Sequence, residues 1–60
     1  MHRYKFKIGQ RITDKTKRGM RLGIICGIGY DFDSGRKRYG YFIEAAAGKD
    51  WIYESEARLV

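Results

Sequence analysis

Sixty residues permit one small domain spanning 1–60 and no second one. A chain of this length buries only about 60% of the surface its unfolded form exposes, so a deep enclosed substrate pocket within one copy is not expected. Hydrophobic residues at 43% and aromatics at 15% exclude a disordered polymer, and a net charge of +6 points to polyanionic or phosphorylated partners.

The charge is unevenly placed along the chain. Residues up to Arg38 hold 11 basic and 3 acidic side chains, whereas the remainder holds 2 basic and 4 acidic ones. One positive face opposite a near-neutral one is therefore expected.

In chain order, Tyr4-Lys5-Phe6-Lys7-Ile8 alternates apolar and basic residues and predicts a half-buried strand with a cationic outer face. Gly9 interrupts it and Arg11-Ile12-Thr13 resumes it. Asp14 to Gly19 has no apolar residue and reads as a mobile, positively charged loop. Met20 to Tyr30 is the longest apolar stretch. Gly23, Gly27 and Gly29 disfavour helix there and suit a strand that bends sharply. Asp31 to Gly35 reads as a turn, with Gly35 supplying positive φ.

Arg36-Lys37-Arg38 leads from that turn into a third strand, Tyr39 to Glu44. Ala45 to Asp50 predicts a hairpin connection, since three alanines are too few to nucleate a helix alone. Trp51 to Glu54 predicts the fourth strand, Ser55-Glu56-Ala57 a tight turn, and Arg58-Leu59-Val60 a short last strand. Five short strands without a convincing helix predict an all-β fold, a small five-stranded barrel.

Enzyme signatures are sparse. Cys26 is the sole cysteine, which excludes an internal disulfide and a cysteine-based zinc cluster. Within its apolar run it is expected to be a small buried hydrophobe. The only histidine, His2, lies near the terminus. Gly27-Ile28-Gly29 lacks the third glycine and the helix of a dinucleotide fingerprint. Position twelve counted from Asp31 is Phe42, where a calcium loop needs a bidentate Glu. Glu54 and Glu56 fit capping or solvation. No catalytic residue, metal or cofactor is expected, no run is long enough to span a membrane, and a reducing, cytoplasmic setting fits the lone cysteine.

The binding chemistry is more legible. Lys15, Lys17, Arg18 and Arg21 flank Gly19, and Arg36, Lys37 and Arg38 follow the next turn. These two groups are expected on neighbouring edges of the barrel, where guanidinium forks and ammonium groups contact phosphates. With Ile52 inward, Trp51 and Tyr53 are left partly exposed. Together with Tyr41 they are expected to offer stacking surface beside those cations. The partner is then nucleic acid, DNA or RNA, held with little sequence specificity, or an acidic protein surface. Self-association into a homo-oligomer is compatible with so thin a core.

Several segments carry a resemblance: Gly9-Gln10-Arg11-Ile12, the basic loop, Gly23 to Gly27, Tyr41-Phe42-Ile43-Glu44 and Trp51-Ile52-Tyr53-Glu54 with a single turn before Arg58-Leu59-Val60. Their order resembles SH3-like barrels of the KOW, Tudor and retroviral-integrase C-terminal kind, which implies one turn of 3₁₀ helix before the last strand. Gly40 to Glu44 and Gly48-Lys49-Asp50-Trp51-Ile52-Tyr53 are also similar to the plasmid-borne, trimethoprim-insensitive type II dihydrofolate reductases. That resemblance implies a homotetramer of SH3-like subunits binding NADPH and dihydrofolate in a central pore. Ile52 and Tyr53 match the end of that family's Val-Gln-Ile-Tyr motif, and Lys15 stands near its lysine. Trp51 replaces the glutamine and Asp50 the valine, and an indole has a single N–H donor where the amide has several groups.

Overall fold

The computed structural model describes residues 1–15 and 21–60. Five antiparallel strands form one sheet: β1 (Arg11–Asp14), β2 (Leu22–Asp33), β3 (Arg36–Ala45), β4 (Gly48–Tyr53) and β5 (Ala57–Leu59). A 3₁₀ turn, η1 (Glu54–Glu56), separates β4 from β5, as the residue order implied. Strand order is β4-β3-β2-β1-β5. The expected closed barrel is not made by backbone pairing, since among the described residues no ladder joins the β4 and β5 edges. The all-β architecture is compatible with an SH3-like fold.

Alternation explains the strands. In β3 and β4, Tyr41, Ile43 and Ile52 face inward and are fully buried, whereas Phe42 between two of them is exposed. Ile12 and Ile25 complete the core, with Ala57 beside them and Tyr4 and Phe6 packed against it. β2 is long enough to serve two partners: its start pairs with β1 (Arg11↔Ile24) and its remainder with β3 out to Asp33↔Arg36. A bulge between Ile25 and Gly27 bends it, in keeping with the glycines of that run. Cys26 is the extra residue. It is exposed rather than buried, and its thiol donates to the Phe42 carbonyl at 3.5 Å.

Both hairpins are tighter than the sequence suggested. The β2–β3 ladder continues through Asp31, Phe32 and Asp33, so only Ser34 (φ 54°) and Gly35 (φ 78°) turn the chain. Positive φ at both central residues matches the right-handed twist of the flanking strands. Likewise Ala45 pairs with Gly48, leaving Ala46 and Ala47 as the turn.

The predicted first strand, Tyr4 to Ile8, is not in the sheet. Its amides are taken by side chains instead of a ladder. Lys5 N–H donates to Glu54 Oε2 (2.8 Å), Phe6 N–H to Tyr41 Oη (3.2 Å) and Lys7 N–H to Gln10 Oε1 (2.7 Å). Residues 2–7 thus form an arm laid across the core. Its burial still alternates: His2, Tyr4 and Phe6 are half-buried, and Arg3, Lys5 and Lys7 are exposed.

Candidate functional site

The hairpin connecting β2 and β3 extends past both neighbouring strands. The β4 ladder stops at Tyr53↔Gly40 and the β1 ladder at Ile24, so Asp31–Asp33 and Arg36–Arg38 pair only with each other among the described residues. This two-stranded ribbon has two different faces. Asp31, Asp33, Arg36 and Arg38 share one, by register and alternation. Tyr30, Phe32, Lys37 and Tyr39 share the other, which continues the core face.

On the first face the charges are answered locally. Arg38 donates to Asp33 Oδ2 (2.9 Å) and Ser55 Oγ (3.1 Å), and its guanidinium lies 3.8 Å from the Tyr53 ring centre. The Tyr53 hydroxyl donates to Asp31 Oδ2 at 3.2 Å. Partial desolvation and, after it, the Asp31 carboxylate push the Tyr53 hydroxyl pKa up against the smaller opposing effect of Arg38. Arg36 is exposed beside Asp33, its cross-strand partner.

The remaining expected site residues are divided. Lys37 is exposed, with Nζ 4.5 Å from the Tyr30 ring centre. Trp51 is half-buried, packed edge-to-face against Phe42 (4.7 Å) and Tyr53 (5.7 Å), and its Nε1 is buried without a partner. Where the type II reductase resemblance needs an amide facing ligand, the indole therefore presents carbon. Tyr41 is fully buried and cannot stack on a base. As the largest core side chain it fills the interior, and its hydroxyl donates to Glu54 Oε2 at 2.5 Å.

Arg21 is likewise committed internally. Its guanidinium pairs with buried Asp14, reaches Glu56 at 3.5 Å and donates to the Trp51 carbonyl at 2.6 Å. That carbonyl faces the free edge of β4, and the Trp51 N–H beside it is taken by Asp50 Oδ1 (2.7 Å). A side chain thus caps part of an edge that no described strand covers. Lys15 is exposed just after β1, its N–H donating to the Glu56 carbonyl at 2.8 Å. Lys17 and Arg18 lie outside the described residues.

Of the two basic groups expected on neighbouring edges, the described members lie on either side of β2 in the chain. Lys15 and Arg21 precede β2 and the Arg36–Arg38 group follows it. The twelve residues of β2 run between them.

The structure brings the arm to the ribbon. His2 stacks flat on Tyr39 (3.7 Å, 2°), and Tyr4 meets Tyr39 edge-to-face at 5.8 Å and donates its hydroxyl to the Gly29 carbonyl at 2.6 Å. Tyr39 in turn meets Tyr30 (6.2 Å), and Tyr30 meets Phe32 (5.8 Å). A continuous row of rings therefore runs from His2 to Phe32. On the arm, exposed Arg3, Lys5 and Lys7 alternate with half-buried His2, Tyr4 and Phe6, and on the ribbon Lys37 lies over the Tyr30 ring. No carboxylate among the described residues forms an ion pair with these four Lys and Arg side chains. The cationic alternation of Tyr4–Lys7 signalled this row; only the packing of the arm showed its neighbours.

Beneath the row, Glu54 anchors the arm. It accepts from His2 Nε2 (2.6 Å), the Lys5 N–H and the Tyr41 hydroxyl. Burial alone would raise its pKa, but these hydrogen bonds outweigh burial and hold the carboxyl below its usual range. Burial and the same carboxylate push the Tyr41 hydroxyl up to about 12. Glu54 is thus a structural hub, not the solvated or capping residue its neighbourhood in sequence suggested.

No family model, curated protein or solved structure matches this chain. No group of three or more His, Cys, Asp and Glu side chains among the described residues is placed to hold a metal ion. No helix among them is long and apolar enough to cross a membrane.

Proposed function

We propose that this chain is a small SH3-like binding module, not an enzyme, and that it holds nucleic acid through its phosphates with little sequence preference. The observation that carries this reading is that Arg3, Lys5, Lys7 and Lys37 are exposed and, among the described residues, in no ion pair, with Lys37 over the open Tyr30 ring. Arg36 and Arg38 contribute less, because Asp33 and Asp31 stand on their face. Phosphate contacts of this kind give affinity and register without reading bases. Among the described residues there is no recognition helix to enter a major groove, in line with weak specificity.

The test is a salt titration of binding to a fluorescent oligonucleotide. Each neutralised phosphate releases condensed counterions, so log K should fall linearly with log salt. The combined variant Arg3→Ala, Lys5→Ala and Lys7→Ala should weaken binding and make that slope shallower by about 2, at about 0.7–0.9 per cation lost. Arg36→Ala with Arg38→Ala should change the slope less. A flat salt response in the unaltered protein would refute the proposal.

A further inference from the structure

We infer that the nucleic acid taken at this surface is single-stranded, with unpaired bases stacked on Tyr30 and Phe32; this rests on the phosphate-binding reading above. Phe32 and Tyr30 are the two most exposed aromatic rings of the chain, at 63% and 56%. They project from a two-stranded ribbon that contributes nothing to the buried core, so packing does not account for their exposure. Phe32 has no hydrogen-bonding group. It cannot read the edge of a paired base, but it presents a ring to a base whose face is free.

The ribbon's other face argues against a duplex. A two-stranded ribbon has the dimensions to enter a major groove. Seated there, it would press either Phe32 and Tyr30 against base edges that offer hydrogen bonds, or the opposite face, where Asp31 and Asp33 offset Arg36 and Arg38, into a field of phosphates. Both arrangements are unfavourable. A single strand avoids them, because its bases turn to the rings while its phosphates turn to Lys37 and the arm cations. Lys37, already over the Tyr30 ring, is positioned to meet the phosphate of a base stacked next to it. Stacking of this sort tolerates any base and either sugar, so DNA and RNA strands share the chemistry.

The experiment measures anisotropy of the full chain with four labelled probes: oligothymidylate, oligouridylate, a duplex of equal length, and an abasic deoxyribose-phosphate strand. Both single strands should bind at least tenfold tighter than the abasic strand, and tighter than the duplex. Phe32→Ala and Tyr30→Ala should each lower single-strand affinity about five- to hundredfold, while leaving abasic-strand binding unchanged. Phe32→Trp should restore it, and Phe42→Ala, on the opposite face, should have no effect. Circular dichroism on each variant verifies folding. Equal affinity for abasic and base-bearing strands, preference for the duplex, or indifference to Phe32→Ala would overturn this inference while leaving phosphate binding standing. Failure to bind any of the four probes would overturn the phosphate reading itself.

Discussion

Glu54 and Tyr41 couple the N-terminal arm to the core, and their titration makes that coupling measurable. Glu54 is held below its ordinary value of 4.5, so the stability it contributes is complete above that pH and is lost as pH falls through its lowered pKa. Tyr41 has the opposite sense. Pushed up from 10.0 to about 12, its contribution is complete below pH 10 and disappears as pH rises toward 12. Urea unfolding across pH should therefore show losses at both limits, with Glu54→Gln flattening the acid one and Tyr41→Phe the alkaline one. At neutral pH, Tyr41→Phe should cost about 1–3 kcal/mol, because the Phe6 N–H is left without its acceptor. Nothing near Glu54 in sequence announced this role: its partners His2, Lys5 and Tyr41 lie 52, 49 and 13 positions away.

At the scale of elements, the sheet was readable wherever alternation coincided with a ladder. The period of two puts Tyr41 with Ile43 on one face of β3 and Ile52 inward on β4, and all three are buried, although Tyr41 was expected to be open stacking surface. The same period over Tyr4–Lys7 predicted a strand, yet the segment makes no ladder. Periodicity reports which side chains are buried, not where the backbone amides find acceptors. Gly40 illustrates a close approach that no local pattern signals: a Cβ there would lie 2.5 Å from Trp51 Cζ2 and 2.7 Å from the Ile52 carbonyl. Gly40→Ala should thus destabilise the domain by about 1–3 kcal/mol and shift the emission of Trp51, the chain's only tryptophan. Gly35→Ala, where nothing lies within 4 Å of the added carbon, should leave that emission unchanged and cost only the strain of its positive φ.

The whole molecule is defined by contacts between distant parts of the chain. β1 pairs with β5 at Ile12↔Leu59, and the arm seals against η1. Non-local pairing of this kind makes folding slow, in the range of about milliseconds to seconds. The sequence contains no proline, so refolding followed by Trp51 fluorescence should lack the additional phase of tens of seconds that prolyl isomerisation imposes. Such a phase, surviving across protein concentrations, would count against a simple two-state domain.

From the sequence alone came the all-β class, a tight turn before the last strand, the inward Ile52 of β4, and the excess of positive charge. Each follows from local spacing or from composition, which one-dimensional order preserves. Which cations are available to a partner was decided only in three dimensions. Arg21 is consumed by Asp14 and Glu56, Arg38 is answered by Asp33, and Tyr41 is enclosed, while Arg3, Lys5 and Lys7 stay exposed on an arm whose Tyr4 ring packs on Tyr39. Free charge and open rings are properties of neighbours, and neighbours here are assigned by strand register and by the arm's path across the core.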